Sequence, residues 1–295
     1  LVLLKRRLTI MNKELTIIIV LYNSTNVIFE CLKSLTNFNI IIVDNGKNDN
    51  LLKKFNNYLN IKKIIESKKN LGFGNGVNLA FNHVQTEHFL VLNPDIILDE
   101  ISINELIKIS KENFNCAISA PYISTDNDGY SMFPENGKSI ERNLLQLKCS
   151  ETLNNKKPSG NFCAQVTKGC VLLINSKHFR DVGMFTKEYF LFWEEIDLCR
   201  KFFKKKLSVI ISPKALAFHE QGTSSKKTLS VYLIRIYHSE KSPLYYYKAK
   251  KNSSMYLLMI KYFFRSISYL CILNFKNSLK NMAKLSANFV YILFN

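Results

Sequence analysis

The chain has no Cys-x-x-Cys pair among its 295 residues. Its seven cysteines, Cys31, Cys116, Cys149, Cys163, Cys170, Cys199 and Cys271, are an odd and scattered set. That argues against a zinc cluster and a disulfide framework, and fits reduced thiols in a cytoplasmic protein. No apolar run reaches the roughly 20 clean residues that a bilayer span needs. The nearest approach, residues 255–275, contains Lys261 and Arg265. An in-plane amphipathic helix fits it better than a span, with plain packing against the rest of the protein as the open alternative. The opening residues are not ordered like a secretory leader, because their apolar end precedes Lys5, Arg6 and Arg7, and Met11 is a candidate start. There is no internal repeat and no low-complexity tract. Acidic residues are scarce, 23 against 41 lysines and arginines, so the surface should attract nucleic acid, anionic lipid headgroups or a phosphorylated substrate. What is plentiful is core material: 47% apolar and 12% aromatic residues are enough for one large core, and they exclude a disordered chain.

The first half repeats one rhythm of a short β-branched run, a turn, and a segment with helical spacing, which predicts a parallel sheet. Strands are expected at Leu15–Leu21 and at 40–43, 63–65, 89–92 and 117–123, with helices at 27–35, 51–59, 77–83 and 101–110. Residues 124–161 are polar and rich in turn chemistry, as in Asp126-Asn127-Asp128-Gly129, and read as a loop-rich excursion near the substrate. Regular pattern returns with a strand at 170–174, helical spacing through Phe179 and 196–203, and strands at 207–211 and 215–218. Beyond Thr228, tyrosine, phenylalanine, leucine and lysine dominate. The expected organisation is an extension over 1–14, a catalytic domain over 15–225 and a basic amphipathic helical region over 226–295.

Ligands of an open parallel sheet bind at the carboxyl ends of its strands. Polar groups follow four successive strands here: Tyr22-Asn23, Asp44-Asn45-Gly46, Asn70 with Gly72-Phe73-Gly74-Asn75-Gly76, and Asn93-Pro94-Asp95. A carboxylate at Asp44 suits a base N–H or a ribose hydroxyl, while a helix cap or Asx turn is the plain alternative. The glycines permit close backbone approach to a diphosphate, although a dinucleotide fingerprint would place them after the first strand. Asp95 suits a divalent cation against phosphate oxygens, and His219 offers a nitrogen ligand or a structural histidine. The densest acidic cluster is Glu194, Glu195 and Asp197 after the aromatic run 189–193. These carboxylates either favour a helix dipole or supply a general base whose pKa is raised by aromatic and acidic neighbours.

Taken in order, these blocks resemble family 2 glycosyltransferases, in particular a rhamnosyltransferase-like subgroup. The likeness runs from about Leu15 to Ser224 through 18–23, 41–46, 70–74 with Asn78, 92–95, Lys168-Gly169-Cys170, 189–200 and His219. It implies an α/β GT-A fold, a Rossmann-like and mostly parallel sheet flanked by helices, with a C-terminal helical extension. It further implies that Tyr22, Asn23, Asp44, Asn45, Asn70, Gly72, Asn78 and Asn93 serve the donor, that Asp95 and His219 hold Mg²⁺ or Mn²⁺, and that Glu195, with Glu194 and Asp197 beside it, does the acid–base work. The family usually has aspartate where this chain has Glu195. The extra methylene moves the carboxylate by about 1.5 Å, a misplacement that can cost on the order of a hundredfold in rate. Lys47 and Met184-Phe185-Thr186 are lesser departures.

The implied activity is inverting transfer of a sugar, rhamnose from dTDP-rhamnose, to a lipid-linked saccharide during O-antigen, capsule or related polysaccharide synthesis. The implied location is cytoplasmic, peripheral to the inner face of the bacterial membrane, with no nucleic-acid partner. UDP-sugars, and a donor-binding but weakly active member, stay open. Nucleic-acid binding has only net charge behind it and leaves the strand-end carboxylates without a use. A sugar nucleotidyltransferase would differ by releasing pyrophosphate.

Overall fold

All seven side chains of β1 (Leu15–Leu21) are buried, as a β-branched run requires when helices cover both faces of a sheet. The computed structural model describes residues 15–22, 24, 27–46, 55, 57–123, 130–131, 158–219 and 228–294. The strands that follow are β2 (Asn39–Asp44), β3 (Ile61–Glu66), β4 (His88–Leu92), β5 (Ile96–Leu98), β6 (Cys116–Ile123), β7 (Tyr130–Ser131), β8 (Phe162–Ala164), β9 (Val166–Thr167), β10 (Val171–Asn175) and β11 (Ser208–His219). The main sheet runs β3-β2-β1-β4-β10-β6-β11-β5, with β8 also on β11, while β7 and β9 form a separate ribbon. The links β3–β2, β2–β1, β1–β4 and β6–β11 are parallel. In contrast, β10 lies antiparallel between β4 and β6, and β5 and β8 are antiparallel to β11. This is the mixed α/β sheet expected of a GT-A fold. Its open edge β3 carries Lys62 and Lys63, charges that discourage further strand pairing.

Among the described residues, the helices that accompany the sheet are α1 (Ile28–Lys33), α2 (Phe73–Phe81), α3 (Glu100–Glu112), α4 (Ser176–Asp181) and α5 (Glu194–Lys204). On one sheet face Ile17, Ile19, Ile42 and Leu90 bury against Ile28 and Leu32 of α1 and Ile103 and Leu106 of α3. Helix α3 starts where the Asp99 carboxylate accepts from Ser102 N–H at 2.7 Å, a side-chain cap. Phe81, Phe89, Phe179 and Phe185 form a second apolar cluster, with neighbouring ring centroids 4.8–5.5 Å apart.

Three expectations change. The strands expected at 207–211 and 215–218 are one strand, β11, with a register irregularity between Ser212 and Leu216; Pro213 lies there and cannot donate to a ladder. Helix α2 begins at Phe73 rather than at 77, so the glycine run is its first turn, not a loop. Gly76 is required by packing there, since a Cβ would sit 2.8 Å from Val20 Cγ1 of β1. The short strand β5, unmarked in the sequence pattern, pairs with β11. The helix expected over 51–59 and the excursion over 124–161 lie largely outside the described residues.

The described chain divides into two compact units, residues 15–186 with 194–219, and residues 187–193 with 228–294. The second contains α6 (Leu229–Tyr247), α7 (Ser253–Cys271) and α8 (Phe275–Phe294), with α8 packed on both others. Residues 187–193 group with these helices rather than with the sheet: Ser242 Oγ donates to Leu191 O at 2.9 Å, and the Phe190 ring stacks on His238 at 4.4 Å. Among the described residues, no helix is long and apolar enough to cross a membrane.

Candidate active site

Parallel pairing brings the ends of β1, β2 and β4 to one rim, where Leu21 is in register with Asp44. Asp44 is 1% exposed and its Oδ1 accepts from Gly46 N–H at 2.8 Å, an Asx turn. Tyr22 is half-buried beside it, its N–H donating to Ser24 Oγ at 3.1 Å. Asn23 lies outside the described residues.

Three asparagines expected to contact the donor are engaged inside the protein. Asn45 Nδ2 donates to Gly72 O at 2.9 Å, tying the end of β2 to the start of α2. Asn70 Oδ1 accepts from Gly72 N–H at 2.9 Å, and Gly72 holds φ +82°, a conformation that favours glycine. Asn78 bonds the Phe185 backbone twice, donating to its carbonyl at 2.8 Å and accepting from its N–H at 3.0 Å. These side chains therefore position the rim. Asn78→Ala is expected to destabilise the fold by about 1–3 kcal/mol, two hydrogen bonds' worth, measurable as a lower urea midpoint.

Segment 183–186, reached by Asn78 from α2, is also held from α5. Gly183 and Met184 have φ of +80° and +60°, and Lys201 Nζ donates to Met184 O at 2.9 Å. The Thr186 hydroxyl donates to Asp197, which lies 3.6 Å from Lys201 Nζ. Asp197, expected among the catalytic carboxylates, is thus a brace for this segment. Sequence alone gave no sign of this use of Phe185, Thr186 or Lys201, because their partners lie on elements far apart in the chain.

Asp95 follows β4 and is buried, and among the described residues neither carboxylate oxygen has a hydrogen-bond partner. His219 Nε2 lies 3.6 Å from Asp95 Oδ1. The two meet because β5 pairs with the end of β11 and places His219 opposite Ile96. Two orphaned carboxylate oxygens facing an imidazole fit a divalent cation. Among the described residues no group of three or more His, Cys, Asp or Glu converges, so the chain would leave most of the cation's coordination to other oxygens. Beneath, the Cys31 thiol is pushed up to about 12 by burial and then by the charge of Asp95. Its Sγ lies 3.9 Å from Asn93 O.

The acidic cluster reaches the same rim through β10. Asn93 N–H donates to Cys170 O at 2.9 Å. The adjacent Gly169 lies against Glu195, where a Cβ would come 3.4 Å from Glu195 Cβ and 3.8 Å from its carboxyl carbon. Glu195 is thus linked through Gly169 and Cys170 to Asn93, two residues before Asp95. A Cβ at 169 would make ordinary van der Waals contact with the Glu195 side chain. Burial raises the Glu195 pKa against backbone N–H groups that lower it. Glu194 is raised further, by burial and then by Glu195, and its Oε2 is buried without a partner. Phe192 and Trp193, immediately before, have φ of +66° and +72°, a left-handed pair that bulky residues adopt only under constraint.

A group whose native pKa is raised binds its proton more tightly folded than unfolded, so its contribution to stability is lost as pH rises toward the native value. Glu194→Gln is accordingly expected to be more stable than the parent near pH 7.5, and to lose that advantage below about pH 4, where both carboxyls are protonated. Urea midpoints at the two pH values give the comparison.

The sheet is mixed rather than mostly parallel, with four parallel and four antiparallel links, and with Asp44 and Asp95 following its strands it has the architecture of a GT-A glycosyltransferase. The chain belongs to glycosyl transferase family 2, whose model matches residues 16–171. The low-salt glycan biosynthesis hexosyltransferase Agl10 of Haloferax volcanii is 23% identical over 227 residues, 75% of this chain and 72% of that one. The mannosyltransferase PcManGT from Pyrobaculum calidifontis, solved with GDP-Man and Mn²⁺, superposes with a TM-score of 0.55 at 11% identity. That match covers 99% of this chain and 81% of the other. GalNAc-T7, solved with UDP, GalNAc and Mn²⁺, gives 0.55 at 12% identity over 78% of this chain, which spans only 50% of that longer protein. At these identities the two structures speak for the fold.

Proposed function

We propose that this family 2 enzyme transfers its sugar with inversion of configuration at the anomeric carbon. A hexose, rhamnose from dTDP-rhamnose with a UDP-sugar as the alternative, passes to a lipid-linked saccharide during surface polysaccharide synthesis at the inner face of the cytoplasmic membrane. The observation that carries this is the link of Glu195 to the Asp95 segment through Gly169, Cys170 and Asn93. Glu195 takes the proton of the acceptor hydroxyl, whose oxygen bonds to the anomeric carbon as the bond to the donor diphosphate breaks. Burial keeps the Glu195 pKa above the ordinary glutamate range, which makes it a stronger base. Asp44 and Tyr22 receive the base and ribose. Asn45, Asn70 and Asn78 act as positioning residues for the amide end of α2 and for segment 183–186, while Asn93 orients the Asp95 turn. Asp95 and His219 would hold Mg²⁺ or Mn²⁺, which when bound supplies charge that stabilises the departing diphosphate.

The named relatives support a sugar nucleotide as donor but not one base, since UDP and GDP-Man both occur among them. The hexosyltransferase named among them supports a hexose. The test incubates purified protein with dTDP- and UDP-sugars, Mn²⁺ or Mg²⁺, and a membrane lipid extract. Nucleoside diphosphate released from one donor and dependent on extract is the expected result. Pyrophosphate release would instead indicate nucleotidyl transfer. Tight donor binding without turnover under every acceptor would leave a binding protein rather than a transferase.

A further inference from the structure

Within the second unit, beside an inner apolar cluster of Leu244, Met255 and Tyr291, several polar groups turn inward while a row of apolar side chains faces outward. Glu240 of α6 is buried, accepting from Tyr262 Oη of α7 at 2.9 Å and from Asn288 Nδ2 of α8 at 3.1 Å, with Lys284 Nζ at 3.5 Å. Ser266 of α7 pairs with Ser278 of α8 at 3.0 Å, also buried. On the other side of α7, Leu257, Ile260, Phe263, Phe264, Ile267 and Leu270 are exposed, Leu257 by 65% and Phe264 by 62%. At about 100° per residue these six fall on one stripe roughly 140° wide. Lys261 and Arg265, both exposed, border that stripe on one side. The exposed apolar surface continues past the helix end through Ile272, Leu273 and Phe275. An inside polar, outside apolar arrangement is the one helices adopt against hydrocarbon, and in water it leaves a large patch uncovered.

We infer that the outer face of α7 docks on an anionic lipid surface, with the helix lying in the plane of the interface. This deepens the membrane location proposed above and rests on it. Charge selects the occupant: residues 226–295 contain twelve lysines and arginines and a single acid, Glu240, which is buried and paired. Anionic headgroups complement such a surface at about 1 kcal/mol per nearby cation. A second copy docked antiparallel, across a two-fold axis perpendicular to α7, would instead bring the Lys261 and Arg265 borders toward their own counterparts. Crossing the bilayer is not open to α7, because no described helix is long and apolar enough.

The full chain, without donor or cation, is mixed with phosphatidylcholine vesicles containing or lacking a third phosphatidylglycerol, and binding is followed by sedimentation. Binding to the anionic vesicles is expected, weakened by salt. Leu257→Ser with Phe264→Ser should lower the partition coefficient on the order of 100-fold, and Lys261→Gln with Arg265→Gln by roughly 30-fold. Circular dichroism of each variant guards against unfolding. As a second readout, Phe264→Trp should be quenched by lipids brominated on the acyl chain. Equal binding by parent and variants, or no binding by the parent, overturns the inference. A dimer dissociated by the Leu257→Ser, Phe264→Ser pair, with vesicles ignored, would also overturn it and assign the face to a second copy. Because donor is absent, failure here leaves the transfer reaction untouched, whereas diphosphate release with no vesicle binding would remove the membrane location alone.

Discussion

Glu195→Gln is expected to lower turnover by about 10²–10⁴-fold, the usual contribution of a positioned general base, while donor affinity changes little. Glutamine keeps the shape and the hydrogen-bonding oxygen but cannot take a proton from the acceptor. The geometry that fixes Glu195 is local. It begins in the first turn of α5, where backbone N–H groups face its carboxylate, and runs against Gly169 at the entrance to β10. Because burial raises its pKa, the acid limb of the kcat/KM profile should fall at a pH above the ordinary glutamate range, since the free base is the active form. Glu195→Asp gives a second readout. It restores the residue common in the family but withdraws the carboxylate by about 1.5 Å from its place against Gly169, so a loss on the order of a hundredfold is expected. Aspartate activity equal to the parent's would mean that the carboxylate position is not set by Gly169. Full activity in Glu195→Gln would remove Glu195 as the base.

Asp95→Asn should separate stability from activity in opposite directions. Among the described residues both Asp95 oxygens are buried without hydrogen-bond partners, and the His219 imidazole lies 3.6 Å from one of them. A buried, unsatisfied carboxylate costs about 1–3 kcal/mol or more, so the neutral amide is expected to raise stability in the absence of cation. Divalent-cation-dependent donor binding, measured by calorimetry, should be lost in the same variant. In the parent, adding Mn²⁺ should raise the melting temperature, as any ligand selective for the native state does, and the variant should show no such rise. A variant that binds donor with unchanged cation dependence would take Asp95 out of the metal site. One that is less stable without cation would mean that its carboxylate is satisfied after all. The expected pattern is that of a group kept for function at the expense of the fold.

The strand pattern was legible wherever apolar runs were continuous. Leu15–Leu21 and the runs near 40–43, 89–92 and 117–123 are strands because only a sheet covered on both faces buries every residue of such a run. Order in the chain also exposed which residues follow each strand, and with them Asp44 and Asp95. Less visible was β5, whose three residues are too few to establish a period, and Pro213 divided β11 into two apparent strands. Glycines hid the first turn of α2, since their low helix propensity outweighs a pattern that exists only because Gly76 must approach Val20.

By itself, the sequence determined an α/β sheet, a set of polar strand ends and a strongly basic, aromatic C-terminal region, because composition and periodicity act locally along the chain; the transferase reading came from the resemblance of its ordered blocks to family 2. Tertiary structure alone decided that Asp95 meets His219 through β5 and β11, and that Glu195 is linked to Asn93 through Gly169 and Cys170. It likewise bonded Asn78, expected in the donor pocket, and Asp197, expected among the catalytic carboxylates, to segment 183–186, and set the apolar face of α7 outward. Each of these depends on strand pairing or helix packing between residues far apart in sequence, where the geometry of closure, and not the residue type, selects the partner.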